Sequence, residues 1–172
     1  MLLREYPALA GWKIEIVATD LSLDILAQAK SGIYSQFEVQ RGLPIQMLVK
    51  YFTQQGDKWL AKQELRDMVI FKQANLLTDL IHLGQFDIVF CRNVLIYFDV
   101  QTKAKVLAAI KGVMSQDGVL LLGGAETVIG ISDNFKPTPE IKGVYIRTDS
   151  TFAAPAKSAA PAPSPTTKSA IA

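Results

Sequence analysis

The sequence predicts an α/β fold in which a mostly parallel β-sheet carries helices on its faces. Stretches of strand composition alternate with stretches of helical periodicity along most of the chain. Two of the strands, Phe86–Cys91 and Val119–Leu122, are apolar enough to be buried on both faces, as in parallel sheets. Polar side chains, among them Arg92 and Asn93, follow directly after a strand, where open α/β sheets bind their ligands.

The first half of the chain supplies the first strand and two helices. Residues 1–9 have the pattern of a helix end. A short apolar strand follows at 14–18 and is closed by Thr19-Asp20, and a helix runs from Ser22 to about Lys30 because Ser and Asp favour helix starts. A second helix is predicted from about Leu43-Pro44 to Lys50, since proline suits a first helical turn.

Residues 51–71 have a different pattern. Short β-like pieces at 51–53, 58–61 and 68–71 surround the turn signal Gln55-Gly56-Asp57. The pattern predicts a small antiparallel flap inserted between strands of the main sheet. Its last piece also leads toward Asn75-Leu76, which would then lie at a second strand tip.

The second half predicts a strand at 86–91, a helix and two further strands. The helix runs from about Val100 to Met114 and places four apolar side chains on one face, namely Val106, Leu107, Ile110 and Val113. Asp117-Gly118 predicts a turn into the strand at 119–122, and Val144–Arg147 predicts a last, antiparallel edge strand.

The composition changes sharply near the end of the chain. Residues 150–172 are almost entirely Ala, Pro, Ser and Thr with two lysines, a composition that cannot build a core. We therefore predict one domain over residues 1–149 and a disordered tail over 150–172.

Charge and cysteine content narrow the functional class. The 18 basic and 16 acidic residues give a net charge of +2, so no strong field favours nucleic acid or a membrane surface as partner. The single cysteine, Cys91, lies within an apolar strand and is expected to be a small core residue. The sequence has neither a signal-peptide pattern nor an apolar run of about 18 residues, so we expect a cytoplasmic protein with no membrane insertion.

Candidate site residues lie at the strand tips, and each has a structural alternative. Asp20 ends a strand where nucleotide-binding sheets keep an acid for ribose hydroxyls, but Asp is also a common helix N-cap. Arg92, Asn93 and Tyr97 would line the rim of a ligand crevice, or would belong to an ordinary loop in which Tyr97 packs into the core.

Other sequence features argue against phosphate-loop and metal chemistry. The chain has no G-x-G-x-x-G or Walker sequence. The segment Gly123–Glu126 is too short for such a loop; we expect it to let the backbone pass close to a pocket, with Glu126 as a capping or structural carboxylate. His82 is the only histidine and has no partner at ligand spacing, so no metal is expected.

A set of motifs is more specific than any single strand tip. The longest is Phe86–Asp99, and the shorter ones are Ala18-Thr19-Asp20, Tyr34-Ser35 with Glu38-Val39, Arg41-Gly42-Leu43-Pro44, Tyr51-Phe52, Asn75-Leu76-Leu77 and Gly123-Gly124-Ala125-Glu126. In order and spacing they resemble the CheR-type chemotaxis-receptor glutamate O-methyltransferases over about residues 1–147. The resemblance implies a Rossmann-like class I methyltransferase sheet, here the S-adenosylmethionine-binding C-terminal domain.

This resemblance also implies an activity and a role for each candidate residue. The activity is O-methylation of glutamate side chains on chemotaxis or chemosensory receptors, with S-adenosyl-L-methionine as cofactor and the receptors' cytoplasmic domain as partner. The motifs assign Asp20 to the ribose, Asn75 and Leu76 to the adenine, and Arg92 and Asn93 to further cofactor contacts. They assign Tyr97 to the methyl-transfer pocket, which makes Tyr97 and Arg92 the catalytic candidates, and they assign receptor contact to the flap.

The sequence departs from the family at its beginning. The glycine-containing first strand and turn, which hold the methionine end of the cofactor, and the basic helical domain before them have no counterpart. We therefore expect an N-terminally truncated, impaired fragment that lacks the strand between those at 14–18 and 86–91. The alternative is a catalytically inactive module that binds a receptor or another partner of the pathway. Nicotinamide-dependent reduction is disfavoured because the glycine fingerprint is absent.

Overall fold

The computed structural model describes residues 6–9, 11–139 and 141–150. These residues form two compact units. The first contains the described residues up to Gln85 together with Ala108–Val113, and the second contains Phe86–Leu107 and the described residues from Met114 onward. The predicted tail, apart from Ser150, lies outside the described residues. So do residues 1–5 of the segment 1–9 that was predicted to end a helix, and Pro7–Leu9 form a 3-10 helix.

A pair of parallel strands is the centre of the first unit. Strand β1 (Ile16–Asp20) pairs with β5 (Val69–Gln73), and helix α1 (Leu23–Ser31) follows β1. The strand predicted at 14–18 is confirmed with a shift of two residues. The predicted start of the helix is also confirmed, because the Ser22 side chain caps α1 by accepting a hydrogen bond from the Ile25 N–H.

An antiparallel flap of three strands completes the first unit. Its strands, in the order β2-β4-β3, and the neighbouring short helices are β2 (Ile33–Ser35), α2 (Gln36–Gln40), α3 (Ile45–Tyr51), β3 (Phe52–Gln55), β4 (Lys58–Ala61) and α4 (Gln63–Arg66). The predicted hairpin around Gly56-Asp57 and the helix at 43–50 are confirmed.

The third strand of the flap differs from the prediction. It is β2, whereas the piece predicted at 68–71 belongs to β5 and pairs with β1. Strand β2 has only three residues, too few for a period-two pattern to show in the sequence.

The second unit contains a four-stranded mixed sheet in the order β6-β7-β9-β8. Its strands are β6 (Phe86–Cys91), β7 (Met114–Leu122), β8 (Phe135–Pro137) and β9 (Val144–Arg147). Strands β6 and β7 are parallel, and the other two pairs are antiparallel. The α/β class is therefore confirmed, although antiparallel pairs outnumber parallel ones among the described strands.

Three sequence expectations for this sheet need correction. Strand β9 is antiparallel as predicted, but β8 pairs on its far side, so β9 is not the edge. Asp117-Gly118 is not a turn before β7 but lies within it, where the register with β6 shifts between the pairings Phe86↔Met114 and Ile88↔Val119. Strand β6 forms a sheet edge and is not fully buried, since Ile88 and Phe90 are exposed, Phe90 at 69%.

Helix α5 (Val100–Gly112) follows β6 and confirms the predicted apolar face. All four predicted side chains, Val106, Leu107, Ile110 and Val113, are buried. With 13 residues it is the longest described helix, and none of the described helices has the length and apolarity that crossing a membrane requires.

Candidate functional site

The tip of β1 presents Asp20. The half-buried carboxylate accepts a hydrogen bond from the Ser22 N–H at 2.8 Å through Oδ1. Ser22, and not Asp20, is the N-cap of helix α1. The structure therefore does not support the N-cap alternative for Asp20, and Oδ2 stays available to accept a hydrogen bond from another donor.

The tip of β5 ends at the same edge as that of β1. The parallel register places Asp20 opposite Gln73, and the Ala74 N–H donates to the Asp20 carbonyl at 3.1 Å. Two residues after Gln73, the Asn75 side-chain oxygen accepts a hydrogen bond from the Leu77 N–H at 2.9 Å. This turn leaves the exposed Asn75 amide as a donor, with half-buried Leu76 beside it. The structure thus brings Asp20, Asn75 and Leu76 together.

The tip of β6 carries the other three predicted site residues. Arg92 is exposed, and Asn93 has a φ of 60°, a left-handed conformation that Asn tolerates better than most residues. A 3-10 helix (Leu95–Tyr97) follows, in which Leu95 is buried and Tyr97 is 79% exposed. The core-packing alternative for Tyr97 is therefore wrong.

Glu126, after β7, holds this tip in place. The residue is only 8% exposed, and its carboxylate accepts four backbone hydrogen bonds. Oε2 accepts from Asn93 (2.8 Å) and Gly123 (2.6 Å), and Oε1 accepts from Val94 (2.9 Å) and Leu95 (2.7 Å). We call this arrangement the Glu126 clasp. It joins the loop after β6 to the loop after β7.

The surroundings of the clasp shift the pKa values of Glu126 and of the nearby Cys91. Burial, the largest single influence, favours the neutral carboxyl, but the four N–H donors together outweigh it and lower the pKa of Glu126. Burial and the nearby Glu126 charge raise the pKa of the Cys91 thiol to about 11. Cys91 is thus a protonated, buried thiol, as expected of a core residue.

A small cavity lies beside the clasp in the second unit. Its volume is about 60 Å³, far below the roughly 300 Å³ at which small-molecule pockets begin. It is lined by Leu95, Ile96, Lys103, Ala125, Glu126, Thr127 and Ile131. It has room for water and not for a nucleoside.

Glu126 is a structural carboxylate, as the sequence predicts. Its partners on the β6 tip were not predicted, because they are 31 to 33 residues away along the chain and no local pattern shows them. The only sequence signal was a glycine pair and an acid directly after a buried strand. Among the residues that the structure describes, no three His, Cys, Asp or Glu side chains lie where they would jointly hold a metal ion.

Comparison with known proteins identifies one family. The family model described as CheR methyltransferase, SAM binding domain, matches residues 1–144. Chemotaxis protein methyltransferase 1 of Pseudomonas aeruginosa is 39% identical over 78% of this chain and 49% of its own length. Chemotaxis protein methyltransferase Cher2 of Pseudomonas putida is 42% identical over 71% of this chain and 45% of its own length. The chain thus spans about half the length of these curated relatives.

Proposed function

Because the chain belongs to the CheR methyltransferase family and matches its SAM-binding domain, we propose that it acts in S-adenosylmethionine-dependent methylation of glutamate side chains on chemotaxis receptors. The observation that carries the proposal is the match over residues 1–144, which contains all the predicted site residues. The activity and its receptor substrate are proposals for this chain, since its curated relatives are about twice as long.

The tips of β1 and β5 fit the nucleoside part of the cofactor. Asp20 keeps one carboxylate oxygen as an acceptor for ribose hydroxyls. Because the Asn75 side-chain oxygen is held by Leu77, its amide group faces outward as a donor that matches a nitrogen acceptor on a base edge. Leu76 offers an apolar surface beside it. We assign ribose binding to Asp20 and adenine binding to Asn75 and Leu76.

The tip of β6 supplies charge and an aromatic side chain. Arg92 and Asn93 are exposed directly after the strand, and we assign them to cofactor contacts. The exposed Tyr97 is accessible to a substrate, and we assign it to the surroundings of the transferred methyl group. Arg92 also suits a carboxylate of substrate or cofactor, because a guanidinium binds carboxylates through two parallel hydrogen bonds.

The proposed reaction needs little acid-base chemistry from the protein. When bound, S-adenosylmethionine supplies an electrophilic methyl group on a sulfonium. A substrate glutamate with a pKa of about 4.3 is already ionised at neutral pH, so no general base is required. The protein's contribution is alignment and exclusion of water, and such positioning is worth about 7–11 kcal/mol.

The proposal places the chain in the cytoplasm, where it meets the cytoplasmic domain of the receptors. The free, buried Cys91 is consistent with a reducing compartment. The flap (β2-β4-β3) is the proposed receptor contact. Its strands expose polar side chains, including Thr53, Gln54 and Lys58.

Calorimetric titration of the folded chain with S-adenosylmethionine tests the cofactor assignment. We expect saturable binding that Asp20→Ala weakens by roughly tenfold or more, since a charged hydrogen-bond partner is lost. Asp24→Ala is the matched control, because Asp24 is an exposed carboxylate in the first turn of α1. A thermal melt of each variant shows that it is folded.

The outcomes distinguish the two functional classes. A chain that is folded but does not bind S-adenosylmethionine would favour the alternative function, a catalytically inactive module that binds a receptor or another partner. If the chain binds the cofactor, transfer of a labelled methyl group to a receptor cytoplasmic fragment is the second test. Label that base releases as methanol identifies a carboxyl ester, and label that resists base contradicts glutamate O-methylation.

A further inference from the structure

The Glu126 clasp uses the full hydrogen-bonding capacity of a carboxylate. An ionised carboxylate accepts about four hydrogen bonds, and Glu126 receives four from backbone N–H groups. It is one of the buried residues and its donors belong to two loops. The arrangement is therefore a fixed joint between the loops that follow β6 and β7.

The backbone at the β6 tip is shaped around this anion. Asn93 is left-handed with φ 60°, and Val94 is right-handed with φ −116° and ψ −47°. Alternation of this kind turns successive N–H groups to one side and creates an anion-binding concavity. Here the anion is the protein's own Glu126. Without it, three consecutive N–H groups would lose their partner, including that of Leu95, whose hydrogen bond is buried.

Gly123 is required for the clasp to close. A Cβ on Gly123 would lie 2.6 Å from Glu126 Oε2 and 3.1 Å from the Asn93 nitrogen. The neighbouring Gly124 has no atom within 4 Å of such a Cβ. The two adjacent glycines thus differ in whether the surrounding space admits a side chain, although the sequence alone gives no sign of this difference.

The clasp lies within the segment that carries the proposed cofactor and substrate contacts. Asn93 is itself a donor to Glu126, and Arg92 is its direct neighbour. Tyr97 follows Leu95, the last donor, by two residues. The backbone directions from which all three side chains project are therefore fixed by one buried carboxylate whose acceptor positions are already filled.

We propose that Glu126 is a positioning residue that holds the β6 tip in the one conformation in which Arg92 and Asn93 face the cofactor. The proposal rests on the proposed function for the identity of the ligand. The conformational part rests on the clasp alone. Glu126 acts through the backbone and touches neither cofactor nor substrate.

Two variants open the clasp by different routes. Glu126→Gln replaces one carboxylate oxygen by a donor, which faces two N–H groups and cannot accept from them. Gly123→Ala keeps the charge but places a methyl group against Oε2. The matched controls are Asp149→Asn, which removes a hydrogen-bonded carboxylate elsewhere in the second unit, and Gly124→Ala.

The readouts are ¹H–¹⁵N NMR of the cofactor-free full chain and calorimetric titration with S-adenosylmethionine. In both test variants we expect the amide resonances of Asn93, Val94 and Leu95 to move and their hydrogen exchange to accelerate. Cofactor affinity should fall by roughly tenfold or more. The controls should keep both the amide signature and the affinity.

The two measurements test the positioning role of Glu126 and the proposed function separately. If both test variants keep the three amide signals and the wild-type affinity, the positioning role is wrong. A wild-type chain that does not bind S-adenosylmethionine overturns the proposed function, whereas the amide signature, measured without cofactor, still decides whether Glu126 fixes the tip. If Glu126→Gln does not fold, Gly123→Ala gives the decision, since it changes no charge.

Discussion

At the residue scale, buried and exposed side chains of the second unit have different roles. Glu126 and Leu95 are buried and fix the β6 tip, whereas Arg92 and Tyr97 are exposed and free to meet a ligand. This division is typical of a binding site, because precision comes from groups held by packing and hydrogen bonds behind the contacting side chains. The exposed residues are therefore the ones whose removal should change activity with little cost in stability.

Substitution of the two catalytic candidates tests this division. Arg92→Ala should reduce methyl transfer in an active enzyme of this type by roughly 10- to 100-fold, since a charged hydrogen-bond partner of a carboxylate is lost. Tyr97→Phe should reduce it as well, while both variants keep the wild-type melting temperature because both side chains are exposed. Steady-state kinetics and thermal melts provide the measurements. Unchanged turnover in both variants would show that the assignments are wrong.

At the element scale, short elements in the first unit depend on local chemistry. Helix α2 has a complete capping box, in which the Ser35 hydroxyl accepts from the Glu38 N–H and the Glu38 carboxylate accepts from the Ser35 N–H. The flap hairpin has only two residues between β3 and β4, and the first of them, Gly56, has a φ of 62°. Such a tight turn needs a residue that adopts a left-handed conformation without strain.

Replacement of Gly56 tests the hairpin. Gly56→Ala should destabilise the fold by about 1 kcal/mol, because a Cβ is strained at this positive φ although there is open space around it. Gly124→Ala is the control, since its φ is not in the left-handed region and its surroundings are equally open. Urea unfolding midpoints measure the difference. Equal midpoints for the two variants would contradict the role of Gly56 in the turn.

At the scale of the whole molecule, the net charge of +2 is small, but three carboxylates accept hydrogen bonds that lower their pKa values. Hydrogen bonds from the Ser35 hydroxyl and N–H lower the pKa of Glu38, and those from the Thr102 N–H and hydroxyl lower the pKa of Asp99. Glu126 joins them, since its four N–H donors outweigh its burial. All three groups bind a proton more weakly in the folded chain than in the unfolded one.

These shifts fix the direction of the pH dependence of stability. A carboxylate whose folded pKa is lowered stabilises the fold above its unfolded pKa, 4.5 for glutamate, and this contribution is lost as the pH falls through the folded pKa. The free energy of unfolding should therefore decrease as the pH falls below about 4.5. Urea unfolding between pH 3 and pH 7 measures it. Glu126→Gln should flatten the acid part of this curve, and an unchanged slope would show that Glu126 is not ionised in the fold.

The sequence by itself determined the α/β class, the family, most elements and the residues at the strand tips. These are properties of local pattern: apolar runs, the start of α1 at Ser22, the Gly56 turn and the motif Phe86–Asp99 each lie within a few consecutive residues. The apolar face of α5 follows from helical periodicity alone and was confirmed in full.

Only the tertiary structure decided the partners of these elements. Strand pairing between distant segments decides that β2 completes the flap, that β8 pairs with β9 and that β6 forms a sheet edge. The Glu126 clasp belongs to the same class, since its hydrogen bonds join residues more than thirty positions apart. A one-dimensional pattern records which side chains are apolar or polar. It does not record which backbone N–H groups have no partner within their own loop. The fold decides that a single carboxylate accepts hydrogen bonds from them.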